Sequence, residues 1–265
     1  MCLLFIAINR HPDYPLVIAG NRDEFYRRPT EKLSFWKDHP GLLAGRDLEA
    51  GGTWLGVTRS GRIAAITNYR DPARVKENAP SRGRLVLDFL AGSSAPPDFC
   101  RENAERMAGC NGFNLVFGDV TSLYYYSNRG QGPVAPIADG LHGLSNHLLN
   151  TPWPKVEKGK QRLAQLLNTP GPLDPESVFS LLQDRETAPD NALPQTGVGL
   201  DWERKLSPLF IVTDVYGTRS SSVITVDREN RVTFSERTFT PDALGRLAVS
   251  TETLVVQAES SGGRI

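Results

Sequence analysis

Cys2-Leu3-Leu4-Phe5-Ile6-Ala7-Ile8 begins the chain with an unbroken apolar run, and Leu16-Val17-Ile18-Ala19 returns it across the turn candidate Asp13-Tyr14-Pro15. A short continuous apolar run reads as a strand with both faces covered, so this first hairpin belongs inside the molecule, between layers. Gly20-Asn21-Arg22-Asp23-Glu24 follows at once. Polar residues at the end of a buried strand are held by a rigid element while facing a cleft, a good place for chemistry.

Further strand pairs extend the pattern outward. Residues 55–58 and 62–67 flank Ser60-Gly61 as the clearest hairpin, and residues 112–118 and 123–127 form another. Residues 140–145 read as a short strand or turn leading to Asn146-His147. Ser81 is a cap candidate for a helix whose Val86, Phe89 and Leu90 share a face, and a weaker helical pattern lies between Pro97 and Ala108. Helices are expected over 154–167 and 174–182, the second with Asp174 as N-cap and Pro175 at the first helical position. Residues 187–208, rich in Pro, Gly and Asp, read as a long surface loop, and strands are expected at 209–213, 222–226 and 232–236. Strands in close pairs fit an α+β domain of two packed sheets flanked by helices, with a single mixed sheet as the alternative, better than a doubly wound parallel sheet. No interior stretch is long and polar enough for a linker, so residues 1–257 are expected to form one domain and 258–265 a flexible tail.

Composition narrows the partners. Of 265 residues 39% are hydrophobic, enough for a large core, and 30 basic residues balance 30 acidic ones, so no nucleic-acid partner is expected. Cys2, Cys100 and Cys110 are too few and too widely spaced for a disulfide scaffold, which suits the cytoplasm; the latter two read as small hydrophobes in or beside a helix. The apolar start lacks a preceding basic region and is interrupted by Asn9-Arg10-His11, unlike a secretory signal, and no stretch approaches the roughly 20 apolar residues of a membrane span. Neither HExxH nor paired CxxC units occur, so no metal is expected. Gly51-Gly52 matches neither a dinucleotide fingerprint nor a phosphate loop, and reads as tight backbone geometry before a strand.

Cys2 carries the chemistry. Once Met1 is removed, one residue supplies a thiol nucleophile and a free α-amine to act as its base, and that amine's ordinary pKa of about 7.7–8.0 suits proton exchange near neutrality. Arg22 and Arg219 are candidates to favour the thiolate, Asp23 to orient the terminal ammonium, and Asn146 to donate to a developing oxyanion. Each has a plainer reading: Arg22-Asp23 as a tie between strand ends, Arg219 as the brace of a turn, Asn146 as a cap. Tyr14, Phe25, Tyr26, Trp36, Trp54 and Tyr69 either line an apolar pocket for a hydrophobic metabolite or pack sheets against helices.

Eight sequence blocks, in order along the chain, carry a resemblance. They are Met1-Cys2, Asn21-Arg22-Asp23-Glu24, Ala44-Gly45-Arg46-Asp47, Gly51-Gly52-Thr53-Trp54-Leu55-Gly56, Thr67-Asn68-Tyr69-Arg70, Asn111-Gly112-Phe113-Asn114, Gly143-Leu144-Ser145-Asn146 and Tyr216-Gly217-Thr218-Arg219-Ser220-Ser221. With them the chain resembles the NRDE family, also called the transport and Golgi organization protein 2 family. The resemblance implies a four-layer αββα sandwich related to the N-terminal-nucleophile hydrolases. In the penicillin V acylase and bile-salt hydrolase group of those enzymes, Cys2 matches the nucleophile, Arg22 and Asp23 the first arginine and the aspartate, and Asn146 and Arg219 the remaining two residues. One departure is that Arg22 and Asp23 are adjacent, so a bend or bulge is expected if both are to reach Cys2.

Two functions follow from that resemblance. One is hydrolysis of linear carbon–nitrogen bonds in a small-molecule amide, requiring no cofactor. The other is noncatalytic binding and trafficking of haem or another hydrophobic metabolite, with transient contact to a membrane or a haem protein. The sequence singles out no haem ligand and no oligomeric state.

Overall fold

Phe5 and Ile6 explain why the first strand must be sandwiched: both are fully buried, and strand alternation sends their side chains to opposite faces. A computed structural model describes residues 2–169, 171–241 and 247–258 of the chain. Its strands are β1 (Cys2–Ile8), β2 (Leu16–Phe25), β3 (Thr30–Phe35), β4 (Leu42–Asp47), β5 (Leu55–Thr58), β6 (Arg62–Asn68), β7 (Phe113–Asp119), β8 (Leu123–Ser127), β9 (Ala135–Pro136), β10 (Gly140–Leu144), β11 (Tyr216–Val226), β12 (Arg231–Pro241) and β13 (Leu247–Gln257). Its helices are α1 (Gly83–Ala91), α2 (Pro96–Glu102), α3 (Ala104–Gly109), α4 (Pro154–Leu167), α5 (Pro175–Leu182) and α6 (Leu200–Lys205).

Two antiparallel sheets result. The six-stranded sheet runs β10-β1-β2-β11-β12-β13 and draws on both ends of the chain, whereas the seven-stranded sheet, β3 through β9, keeps sequence order. Leu3, Phe5, Ala7, Val17 and Ala19 pack under α4 and α5 through Val156, Leu163, Val178 and Phe179. Cys2, Leu4, Ile6 and Ile18 face the other way, into the layer between the sheets. On the far side of the seven-stranded sheet, Phe89 of α1 meets Phe99 of α2 and Phe117 of β7 edge to face. The molecule is therefore an αββα sandwich, and each fully buried large apolar side chain in it contributes about 2 kcal/mol.

Local chemistry sets the helix positions. Asp174 caps α5 by accepting from Glu176 N and Ser177 N, both at 3.1 Å, with Pro175 at the first helical position as the sequence suggests. In α4, a side chain at Gly159 would collide with the Phe5 ring, so glycine there lets the helix sit flat on β1. Ser81 is not the cap of α1. The helix begins at Gly83, Arg82 occupies the N-cap position without a side-chain cap, and Gly52 meets the backbone of Gly83 so closely that no Cβ would fit.

Other expectations need amendment. Residues 209–213 do not form a continuous strand: Phe210 N donates to Asp184 O and Ile211 N to Thr218 Oγ1, and the ladder contact is an isolated bridge between Val212 and Gly217. The loop over 187–208 contains α6, and the pattern between Pro97 and Ala108 divides into α2 and α3. Strand β2 runs on through Asn21-Arg22-Asp23-Glu24, so these residues form the end of the strand itself, longer than the apolar run 16–19. Cys100 lies in α2 and Cys110 directly after α3. The tail expected over 258–265 falls on residues 259–265, outside those described, while Ala258 is packed with its N–H on Asn230 O. Among the described residues no helix is long and apolar enough to cross a membrane.

Candidate active site

In the antiparallel register of β1 and β2, Cys2 pairs with Arg22. Directly opposed residues share a face, so thiol and guanidinium both leave the sheet toward the seven-stranded sheet. There they line a cavity of about 470 Å³ between the two sheets. Its walls include Ser220 and Glu236 from the six-stranded sheet, Asp47, Trp54 and Asn68 from the other side, and Ser81-Arg82-Gly83 at the start of α1. Burial pushes the Cys2 thiol above its ordinary pKa, and the Arg22 charge opposes that shift.

Asp23 lies one residue beyond the Cys2–Arg22 pair, beside the backbone at the start of β1. Alternation puts its side chain on the helix-covered face with Asn21, whose amide donates to Leu182 O and Leu209 O at 2.9 and 2.8 Å. Thr218 Oγ1 donates to Asp23 Oδ1 at 2.8 Å. Burial raises the Asp23 pKa, against the pull of nearby Lys155. Lys155 itself is buried, donates to Leu206 O at 3.0 Å, and is driven down to a pKa of about 8 by desolvation. The bulge expected to bring both residues to Cys2 is not in β2, which pairs with β1 without a shift; it lies in β11, where Thr218 pairs with Asp23 and Ser220 with Arg22, leaving Arg219 as the extra residue. Arg22 and Asp23 thus stay on opposite faces.

Arg219 lines the cavity, yet its Nη1 donates to the carbonyls of Phe25, Tyr26 and Arg28 at 3.0, 3.2 and 2.9 Å. It braces the chain leaving β2. Asn146 stands behind the cavity wall. Its Nδ2 donates to Asn68 O at 2.9 Å, and its own carbonyl accepts from Arg70 N at 2.7 Å. Arg70 Nη1 in turn pairs with Glu203 of α6 at 2.7 Å, both buried. The structure therefore joins Cys2, Arg22 and Arg219 around one cavity, places Asp23 at its edge, and sets Asn146 one residue behind Asn68.

Several cavity residues lie outside the sequence-derived set. Arg28 Nε donates to Asp47 Oδ2 at 2.8 Å; although burial opposes it, hydrogen bonds from Ala50 N–H and Arg28 hold that carboxyl below its usual range. Glu236 is buried, accepts from Leu33 N at 3.0 Å, and has its pKa raised by desolvation. Alternation with Val232 and Phe234 is the signal that would have found it, since both point inward. Lys155, which lies outside this cavity, carries a comparable signal: Gly159 and Leu163, four and eight positions on, occupy the buried face of α4. Arg82 has no such signature. Of the early aromatic residues only Trp54 lines the cavity; Phe25 packs edge to face on Tyr216, and Trp36 stacks under Arg46.

Two face-to-face antiparallel sheets between helical layers, with a cysteine at the head of an inner strand opening into the cleft, define the N-terminal-nucleophile hydrolase type of fold. The chain is similar to a Caenorhabditis elegans N-acylethanolamine-hydrolyzing acid amidase ortholog, with a TM-score of 0.51 at 11% identity over 84% of this chain and 92% of that one. Residues 1–241 match the family model Transport and Golgi organisation 2, and the chain belongs to that family. It is 36% identical over 258 residues to the Transport and Golgi organization protein 2 homolog of Bos taurus, covering 89% of this chain and 92% of the relative. It is 31% identical over 277 residues to the Mus musculus homolog, covering 97% and 100%.

Proposed function

We propose that this protein is an N-terminal-cysteine amidohydrolase acting on linear carbon–nitrogen bonds in the cytoplasm. The observation that carries the reading is the Cys2–Arg22 pair, thiol and guanidinium side by side on the wall of one polar cavity. With Met1 removed, the α-amine of Cys2 takes the thiol proton as sulfur attacks the amide carbonyl. Collapse of the tetrahedral intermediate breaks the C–N bond, and the departing nitrogen receives that proton. Water then attacks the thioester, gives a proton to the amine, and releases the acid as the thiol is reformed.

The backbone nitrogen of Cys2 lies in the plane of the sheet, so Asp23 serves it from the far face while Arg22 serves the sulfur from the near one. We assign the oxyanion role to the Asn146–Asn68 pair, in which Asn146 holds the backbone of a cavity-lining amide. The charged wall suits a polar amide better than an extended apolar ligand such as haem, the competing reading.

Mass analysis of the amino terminus, followed by labelling with an electrophilic lactam or amide probe, tests the proposal. Protein beginning at Cys2 acquires one adduct that the Cys2→Ala variant does not. A correctly processed protein that takes no adduct, yet binds haem stoichiometrically with a saturable spectral change, overturns it.

A further inference from the structure

Positive charge in the cavity is unevenly answered. Arg28 is satisfied by Asp47 and Glu49, Lys32 by Glu252, and Arg46 by Asp38. Arg22 is not: its nearest carboxylate oxygen is Asp47 Oδ2 at 3.9 Å, the same atom that Arg28 Nε already holds at 2.8 Å. Arg82 is half-buried on the opposite wall, and its Nη1 donates to the Gly112 carbonyl at 3.0 Å. Among the described residues it forms no ion pair. Desolvation weakens its hold on its proton, against the favourable influence of Cys2 and Glu24, and it lines the same cavity as the thiol.

The acidic side chains of the cavity do not cancel these two charges. Glu31, Glu49 and Glu77 are exposed, at the mouth. Glu24 spends one oxygen on Phe25 N at 2.9 Å, and Glu236, deep in the wall with its pKa raised by desolvation, spends one on Leu33 N at 3.0 Å. Asp23, whose charge also bears on the thiol, accepts from Thr218 on the helix-covered face, so Arg22 and Arg82 are the cavity cations that face the exposed carboxylates of the entrance without a close acidic partner.

We infer that Arg82, together with Arg22, forms a carboxylate-binding subsite beside Cys2, so that the amide substrate carries a carboxylate within a few atoms of the bond to be cut. This deepens the amidohydrolase reading and rests on it. A guanidinium offers paired N–H donors that match a carboxylate, and the interaction strengthens in a partly desolvated cleft. Binding there orients the carbonyl against the sulfur. The acidic mouth disfavours substrates whose negative charge lies at the distal end.

Two small alkylating agents with the same reactive carbon test the inference. Iodoacetate carries the carboxylate and iodoacetamide does not; in both, the Cys2 sulfur forms a bond to carbon, iodide leaves, and the thiol proton passes to solvent. The readout is the ratio of their labelling rates at Cys2 in protein beginning at that residue, compared with the ratio for an unstructured cysteine peptide. The protein should favour iodoacetate relative to the peptide. Arg82→Gln should lower the ratio on the order of tenfold, the effect of removing one unit charge from a partly screened cavity. Arg82→Lys, which keeps the charge without the paired donors, should restore part of it.

An unchanged ratio in Arg82→Gln, with both reagents still labelling, overturns the subsite and leaves the nucleophile assignment standing. Failure of both reagents to label processed wild-type protein overturns both. Wild-type protein supplies a second arm that needs no folded variant: its preference for iodoacetate should fall as salt rises, and a preference flat in salt overturns the subsite.

Discussion

Cys2 and Arg22 face one another across β1 and β2, and Arg22 in turn pairs with Ser220 of β11, so three adjacent strands deliver thiol, guanidinium and hydroxyl to one face. Because the Arg22 charge opposes the effect of burial on the thiol, Arg22→Met should move the pH profile of Cys2 alkylation to higher pH. At neutral pH the rate should fall accordingly. Alkylation by iodoacetamide, followed by mass spectrometry across a pH series, checks this.

Lys155 gives a pH-dependent contribution to stability. Its folded pKa of about 8 lies below the ordinary 10.5, so between those values the unfolded chain binds more protons and stability rises with pH. The desolvation penalty is fully present below pH 8 and relieved as pH rises toward 10.5, a span of about 3 kcal/mol. Cys2, raised by burial, titrates against it in the alkaline range, so the informative quantity is the difference between wild type and Lys155→Met. That difference should favour the variant most below pH 8 and diminish above it, as read by denaturant unfolding at fixed pH values.

Asn21 ties three segments together. Its amide donates to Leu182 O and Leu209 O, and its oxygen accepts from Ser221 Oγ at 2.6 Å. Asn21→Ala strands two buried carbonyls and a hydroxyl, which should destabilise the fold by about 3 kcal/mol. Urea unfolding measures it; a loss under 1 kcal/mol would contradict the account.

Gly52 meets the backbone of Gly83 with no room for a methyl group, and Thr53 N donates to Gly83 O at 3.3 Å. Gly52→Ala should push the first turn of α1 outward, carrying Arg82 with it. Destabilisation of about 1–3 kcal/mol is expected from the overpacking, together with a loss of iodoacetate preference at Cys2. Thermal unfolding and the labelling ratio check the two consequences separately.

The parts legible in the sequence are those governed by short-range periodicity. The runs in β1 and β6, the boundaries of α4, and the Asp174 cap of α5 follow from apolar spacing and backbone hydrogen-bond chemistry visible within a few residues. Strands β3 and β4 were missed because Glu31, Lys32, Gly45 and Arg46 interrupt apolar alternation where the sheet edges the cavity. Strand β13 was missed for a related reason: as an edge strand it exposes Val249 and Val255 and buries little. The same division holds at the site. Motif order identifies Cys2, Arg22 and Arg219, whereas Arg82 arrives from a loop far along the chain and is brought in by a backbone contact with Gly52 that no local pattern encodes.

Arg219 is the supernumerary residue of its ladder, and that makes side-chain identity at this point more consequential than chain length. Replacing Arg219 releases three carbonyls but leaves every neighbour facing as before. Excising it would close the ladder with Ser220 still opposite Arg22 and Thr218 still opposite Asp23, while removing the guanidinium that holds the carbonyls of Phe25, Tyr26 and Arg28. A one-codon deletion there should thus do little more harm than a missense change that removes the guanidinium.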